Sequence, residues 1–193
     1  LKINVLDDIV FSRKELASNL DEVINRCEKL GPYPFFTKPA NLGSSVGISK
    51  CRDRKALING LKEAANYDRR ILVEIGLNKP MEIEVSVLGN EFPTASIAGE
   101  IVPGDEFYTY EDKYFNGVSI LNIPAELPNR MMEKIRDIAV RAFMAIDCSG
   151  MARVDFLVNQ NTEELYLNEL NTIPGFTQIS MYAKLWEASG IPY

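Results

Sequence analysis

The amino-acid sequence predicts a mixed α+β fold in which most strands pair as antiparallel hairpins. Short β-rich runs are joined by turns that contain Gly or Asn, a pattern that is typical of hairpins. Helical runs separate these hairpins and do not alternate with single strands as they would in a parallel βαβ sheet. The 193 residues suffice for one large domain or two small ones, and they contain no internal repeat.

The first part of the chain is expected to form four strands and two helices. Apolar residues at helical spacing from Leu16 to Leu30 predict one helix, which ends at Gly31-Pro32. Asp53 is a suitable N-cap for the second helix. The expected strands are residues 3–11, 34–39, 48–51 and 71–73.

The second part begins with a strand over Glu82–Leu88 and a Gly89-Asn90 turn into a strand over residues 92–98. Residues 99–120 carry Gly, Pro, Asp and five aromatics without periodicity. They are expected to form a long irregular loop of the kind that often acts as a lid. Pro128 opens the clearest helix. The remaining expected elements are strands over residues 152–158 and 165–171 and a helix over about residues 178–189.

Composition excludes several functional classes. A net charge of −6 argues against a nucleic-acid partner. The absence of histidine excludes His-based triads and His metal ligands. Three widely spaced cysteines without a CxxC pair fit a reducing cytoplasm, and no apolar run is long enough to span a membrane. The start at Leu1, without Met or a signal-peptide pattern, suggests a fragment.

The strongest local pattern lies in the expected hairpin over residues 152–171. Arg153 and Asp155 are two apart on one strand, so their side chains share a face, and Glu169 and Asn171 do the same on the next strand. The turn places Asp155 opposite residue 168 or 169. Carboxylate and amide oxygens suit Mg²⁺, and the guanidinium suits charge on a transferred phosphoryl group. The alternative is a surface salt-bridge cluster.

A Gly-Ser turn over residues 43–47 is a candidate phosphate loop, since its amides and hydroxyls can surround a phosphate. Lys38 stands just before it. The turn lacks the Walker-type G-x-x-x-x-G-K-[ST] spacing. It matches G-x-S-x-G with Ser45 as nucleophile, but a chain without histidine has no base for that triad. A plain hairpin turn is the alternative.

Several other segments are ambiguous. Residues 74–77 follow an apolar strand and could set backbone amides against adenine, and either Glu82 or Glu84 could hold ribose hydroxyls. Lys113-Tyr114 in the long loop could close over a substrate, although exposed aromatics usually pack a loop down. The alternative for Glu82 and Glu84 is that both are ordinary surface carboxylates in contact with solvent. Met181, Tyr182 and Trp186 repeat at helical spacing and indicate a core face.

Along the chain, a strand with Lys38, the Gly-Ser turn, the segment at residues 74–77, the long loop and the acidic hairpin with Arg153 follow one another. With these residues, this order resembles the D-alanine–D-alanine ligase family of the ATP-grasp superfamily. The resemblance covers essentially the whole chain and is most specific at Lys38–Gly47, Ala152–Asp155 and Asn168–Thr177. It implies an ATP-grasp fold with a smaller lobe over residues 1–75 and a larger lobe over residues 76–193. The larger lobe would carry the lid at 99–120 and the metal-binding hairpin, and the antiparallel sheets of the lobes would hold the nucleotide between them.

The resemblance also implies roles for particular residues. ATP would be bound by Lys38, Ser45, Val46, Glu74, Ile75, Leu77, Glu82 and Lys113. Two Mg²⁺ ions, or Mn²⁺ in their place, would be bound by Asp155, Glu169 and Asn171. The residues expected to act in catalysis are Arg153, the backbone at Gly175, and Ser44 hydrogen-bonded to Tyr114. The second D-amino acid would be bordered by Ser180 and Met181.

The implied reaction joins two D-alanines through a D-alanyl phosphate intermediate and supplies peptidoglycan precursors. The resemblance also implies a bacterial cytoplasmic protein that is a homodimer at full length. Tyr114 favours D-alanine over D-lactate as the second substrate.

The alternative functions are another ATP-grasp carboxylate–amine ligase, such as a glutathione-synthetase-like enzyme, and a non-catalytic nucleotide-binding module. The family's first domain and the end of its last helical stretch have no counterpart here. We therefore expect these residues alone to bind ATP weakly at best and to make no dipeptide.

Overall fold

The protein is described by a computed structural model over residues 2–102 and 120–193. These residues divide into two compact units, one of residues 6–78 and one of residues 2–5, 79–102 and 120–193. The first unit is built on a four-stranded sheet and the second on a five-stranded sheet. Within the described ranges, no helix is both long and apolar enough to cross a membrane.

The first unit packs its helices against one antiparallel sheet with the strand order β1-β4-β2-β3. Its core contains Phe11, Phe35, Leu57, Ile71 and Val73, all fully buried. The elements are β1 (Asp8–Ser12), α1 (Arg13–Ser18), α2 (Leu20–Leu30), β2 (Phe35–Pro39), β3 (Ser49–Cys51), α3 (Arg54–Tyr67) and β4 (Arg70–Ile75).

The single helix expected through Leu16 to Leu30 is wrong, because the chain forms two helices that break at Asn19. Asn19 has an extended φ of −153°, and its side chain accepts a hydrogen bond from the N–H of Glu22 at 3.3 Å. A side-chain cap of this kind competes with continuation of the helix. The expected first strand is also shorter than predicted: β1 begins at Asp8, and Val5 makes only an isolated parallel bridge with Leu167.

The second unit is a five-stranded antiparallel sheet with the order β7-β6-β5-β8-β9. The strand expected over residues 92–98 begins at Thr94 and continues to Val102, and a further strand starts at Ile120, so the ends of the expected lid loop are β-structure. The elements are β5 (Met81–Gly89), β6 (Thr94–Val102), β7 (Ile120–Asn122), α4 (Asn129–Ala145), β8 (Gly150–Val158), β9 (Leu165–Asn171) and α5 (Met181–Ala188).

The two helices of this unit cover opposite faces of the sheet. On one face, Ile135 and Phe143 of α4 pack into the main core. On the other face, the hydroxyl of Ser86 donates to the carbonyl of Tyr182 at 3.0 Å, which fixes α5 against β5. This helix approaches closely at Gly99, where an added Cβ would lie 2.7 Å from Cε of Met181. The face of the sheet that carries α5 also carries the polar residues described next.

Candidate active site

Strands β8 and β9 bring four polar side chains together. Arg153 lies directly opposite Asn171, and Asp155 lies directly opposite Glu169. Residues directly opposite each other in an antiparallel pair share a face of the sheet. The predicted hairpin is therefore confirmed, and of the two partners that the sequence left open for Asp155 the structure has Glu169.

A β-bulge makes this arrangement possible. The register shifts between Asp155 and Phe156, so Asn168 is an extra residue on β9. Before the bulge, the side chains of Leu165 and Leu167 face the core, and after it Leu170 does so. Because side chains alternate along a strand, the extra residue turns Glu169 and Asn171 to the open face, on the side of Arg153.

The guanidinium of Arg153 is surrounded by carboxylates. Its Nε and one terminal nitrogen donate to the two oxygens of Asp155 at 2.8 and 2.7 Å. The Nε also lies 3.1 Å from Oε2 of Glu84, and the terminal nitrogen lies 3.9 Å from Oε1 of Glu169. Two-pronged pairs of this kind fix both the position and the plane of the guanidinium.

The electrostatic balance at Arg153 favours its charged form. Burial by itself would lower the pKa of Arg153, but the hydrogen bonds and charges of Asp155, Glu84 and Glu169 outweigh it and raise the pKa above its ordinary value. The side chain therefore stays cationic in a half-buried position. A fixed cation of this kind can stabilise negative charge on a phosphoryl or acyl oxygen.

Glu84 is a member of this cluster whose pairing with Arg153 the sequence did not predict. It lies on β5 directly opposite Asp155, and the residue is only 6 % exposed. The sequence suggested this carboxylate only as a possible ribose ligand alongside Glu82. Its pairing could not be predicted because β5 and β8 are far apart in the chain and nothing local signals that they are neighbours.

The donor set at the hairpin fits Mg²⁺. Asp155, Glu169 and Asn171 provide carboxylate and amide oxygens at adjacent positions of one sheet face. Among the described residues, no group of three or more Asp, Glu or Cys side chains is arranged to hold a metal ion by itself. Mg²⁺ commonly takes one or two protein carboxylates and completes its coordination with phosphate oxygens and water.

In the first unit, Lys38 and Glu74 form an ion pair on the open face of the sheet. Glu74 lies directly opposite Phe36 on β2, and Lys38 is two residues further along the same strand. Both side chains are largely buried, at 22 % and 14 % exposed. The structure thus joins the residue expected at the phosphates to one expected at adenine.

The segment after β4 offers fewer backbone groups to a ligand than the sequence suggested. The N–H of Ile75 donates to the carbonyl of Asp7 at 3.1 Å, and the N–H of Gly76 donates to the carbonyl of Pro34 at 2.7 Å. These two amides are therefore already used within the unit. Adenine recognition along residues 74–77 would have to use carbonyl oxygens, the amide of Leu77 and side chains.

The Gly-Ser turn has an unusual backbone. Ser44 and Ser45 adopt φ angles of 57° and 60°, and the N–H of Val46 donates to the carbonyl of Gly43 at 3.3 Å. Non-glycine residues rarely adopt such angles, and strain of this sort is concentrated in functional loops. Positive φ at both central residues of a turn closed by this hydrogen bond is also the geometry of a type I′ turn, so the backbone does not by itself distinguish a phosphate loop from a plain turn.

The loop before α5 brings Gly175 close to Ser180. A Cβ added to Gly175 would lie 3.3 Å from the hydroxyl oxygen of Ser180, which itself accepts from the N–H of Thr177 at 3.1 Å. Met181 is only 7 % exposed, as its helical spacing predicted. Lys113 and Tyr114 lie outside the described residues, and so does the expected hydrogen bond from Ser44 to Tyr114.

Solved structures identify the class of protein. The chain resembles the D-alanine–D-alanine ligase of Coxiella burnetii with a TM-score of 0.81 and 36 % identity, covering 99 % of this chain and 49 % of that one. It resembles the VanG D-Ala:D-Ser ligase of Enterococcus faecalis with a TM-score of 0.86 and 31 % identity, covering 98 % and 54 %. The predicted α+β, ATP-grasp fold class is confirmed.

Sequence comparison gives the particular family. The chain belongs to the family described as D-ala D-ala ligase C-terminus, which matches residues 1–193. The D-alanine–D-alanine ligase of Clostridium acetobutylicum is 56 % identical over 191 residues, which are 99 % of this chain and 55 % of that protein. That of Thermoanaerobacter sp. (strain X514) is 57 % identical over 188 residues, 97 % and 52 % respectively. The chain spans about half the length of these relatives.

Proposed function

We propose that the full-length protein that contains this chain is an ATP-dependent D-alanine–D-alanine ligase that supplies peptidoglycan precursors in the bacterial cytoplasm. The observation that carries this proposal is the fixed guanidinium of Arg153 beside two oxygen ligands, Asp155 and Glu169. Membership of the ligase family and the names of the relatives support the same reaction.

The reaction has two steps. The carboxylate of the first D-alanine attacks the γ-phosphorus of ATP, so an O–P bond forms and ADP leaves. The amine of the second D-alanine attacks the carbonyl of this acyl phosphate, loses a proton, and expels inorganic phosphate. Neither step needs a side-chain nucleophile, which suits a chain without histidine. Alignment and charge stabilisation supply the catalysis.

The residues of the second unit would stabilise the charge. Arg153 would hold the phosphoryl oxygens in the first step and the tetrahedral oxyanion in the second, together with the backbone at Gly175. Asp155, Glu169 and Asn171 would hold two Mg²⁺ ions, with Mn²⁺ as a possible substitute. When bound, these ions neutralise the phosphate oxygens of the nucleotide.

The residues of the first unit would bind the nucleotide. Lys38 would contact the phosphates as a point charge, and the Ser45–Val46 loop would close over them. Glu74, Ile75 and Leu77 would surround adenine. Two residues outside the range 6–78 would also take part: Glu82 would hold the ribose, and Lys113 would reach the phosphates. Ser44 would hydrogen-bond Tyr114.

The second substrate is proposed to be D-alanine, bordered by Ser180 and Met181. One similar solved structure is named a D-Ala:D-Ser ligase, so D-serine and D-lactate are the competitors to measure. The full-length protein is further proposed to be a homodimer, which sedimentation would detect as twice the mass of the single chain.

The test is a coupled assay of the full-length protein with ATP, Mg²⁺ and single amino acids. We expect one ADP and one phosphate per D-alanyl-D-alanine, with D-alanine preferred as the acceptor. Consumption of ATP with L-amino acids and not with D-alanine would favour a glutathione-synthetase-like ligase. Nucleotide binding without ATP consumption would favour a regulatory module. These 193 residues expressed alone should release no phosphate, and robust turnover by them would contradict that expectation.

A further inference from the structure

The contacts of Arg153 pose a conflict for a metal-dependent reaction. Both oxygens of Asp155 accept hydrogen bonds from the guanidinium, at 2.8 and 2.7 Å. Asp155 and Glu169 are also the carboxylates proposed to bind Mg²⁺. A metal ion would compete with Arg153 for the oxygens of Asp155, and Arg153 would then lose its two strongest hydrogen bonds.

A half-buried guanidinium that loses its partner is costly, because its charge is no longer compensated. Glu84 is the carboxylate of this cluster that the proposed metal site does not use. Its Oε2 lies 3.1 Å from Nε of Arg153, and its side chain is the most buried of the three carboxylates at 8 %, against 13 % for Asp155 and 57 % for Glu169. Low exposure strengthens its attraction for the cation.

The sheet holds the backbone of Glu84 on both sides. Glu84 lies on β5 between Gly99 of β6 and Asp155 of β8 in the register. Gly99 in turn lies beneath Met181 and Leu185 of α5, whose terminal atoms would be 2.7 and 2.8 Å from an added Cβ. Glu84 therefore lies on a central strand, opposite the glycine against which α5 packs.

We propose that Glu84 is the positioning residue for Arg153: it retains the guanidinium on the open face of the sheet when Asp155 turns to the metal–nucleotide complex. This inference rests on the proposed function. Among the described residues, the carboxylates left in contact with Arg153 without the charge of Glu84 would be Asp155 and Glu169, the two proposed metal ligands. The metal would then have to displace the guanidinium from both.

The test exchanges Glu84 for Gln in the full-length protein and titrates Mn²⁺ in the presence of ADP by calorimetry. We expect Glu84→Gln to weaken Mn²⁺–ADP affinity and to lower kcat, each by about 10- to 100-fold, while the KM for D-alanine changes little. Glu100→Gln is the matched control. Glu100 lies on neighbouring β6, and its carboxylate accepts from the side-chain amide of Asn122 at 3.0 Å. This control should keep wild-type Mn²⁺–ADP affinity.

A double-mutant cycle separates the positioning of Arg153 from a direct effect of the Glu84 charge on the metal. In an Arg153→Met background no guanidinium remains to be positioned, and adding Glu84→Gln should leave Mn²⁺–ADP affinity unchanged. Equal loss of affinity in both backgrounds, or wild-type behaviour of Glu84→Gln, would overturn the inference. If wild-type protein binds Mn²⁺–ADP but makes no dipeptide, the proposed function fails, and the titrations still decide the role of Glu84.

Discussion

Arg153 and Asp155 are two residues apart on β8, and the guanidinium of the first donates to both carboxylate oxygens of the second. The strand geometry alone brings these two side chains together, because residues two apart on a strand point to the same face. The guanidinium is thereby aimed along the open face of the sheet, where the proposed reaction would develop negative charge.

Replacing Arg153 by Lys should preserve the fold and greatly reduce turnover. Lys keeps the positive charge but lacks the forked donors that fix a planar group. We expect kcat to fall by about 10²- to 10³-fold in the coupled assay. Arg141→Lys is the control, since the ion pair of Arg141 with Asp137 is exposed and lies on α4, which covers the other face of the sheet. Equal kcat values for the two variants would argue against a role of Arg153 in the reaction.

Replacing Gly99 by Ala should destabilise the second unit. The new Cβ would lie 2.7 Å from Cε of Met181 and 2.8 Å from Cδ2 of Leu185, so α5 would have to shift. Overpacking of this kind costs about 1–3 kcal/mol, which urea unfolding would show as a lower midpoint. At Gly43, where an added Cβ meets nothing within 4 Å, Ala should leave the midpoint nearly unchanged. A midpoint for Gly99→Ala as high as that for Gly43→Ala would refute the close approach of α5.

The N-cap of α3 gives a test of the first unit. The carboxylate of Asp53 accepts from the N–H of Ala56 at 2.8 Å, which satisfies a helix amide that has no partner within the helix. Asp53→Ala should lower the free energy of unfolding by about 0.5–2 kcal/mol, and Asp53→Asn by far less, because Asn caps nearly as well. If thermal unfolding ranks the two variants equally, the cap contributes nothing.

Thiol labelling tests the packing of the cysteines. Cys27 and Cys51 are fully buried, whereas Cys148 is partly exposed. Burial raises the pKa of Cys27 to about 12 and also raises the pKa of Cys51. At pH 8 both therefore stay protonated, and the thiol is the unreactive form. Ellman's reagent should react with Cys148 first, and Cys148→Ser should remove the fast phase. Fast modification of Cys27, located by mass spectrometry, would contradict this packing.

Local patterns accounted for most of the secondary structure. The β8–β9 hairpin was predictable because its turn residues and apolar alternation lie within one short stretch. The capped helix after Asp53 was predictable for the same reason. The break at Asn19 was not, because apolar spacing continues across it and only the side-chain cap reveals the interruption.

The long-range parts of the site could not be read from the sequence. Glu84 meets Arg153 only because β5 pairs with β8, and strand order depends on the packing of the whole unit. The ion pair of Lys38 with Glu74 depends in the same way on β2 pairing with β4. Motif resemblance supplied expected roles for many of these residues, but it did not supply their mutual contacts.

The extra residue Asn168 has a consequence for insertions and deletions. A regularly alternating strand would put Leu165, Leu167, Glu169 and Asn171 on the same side. Deleting Asn168 would therefore remove the bulge without changing these faces, because regular alternation after Leu167 puts Glu169 and Asn171 on the open face and Leu170 in the core. The arrangement would be lost instead if Asn168 were kept and paired regularly, since Glu169 and Asn171 would then point into the core.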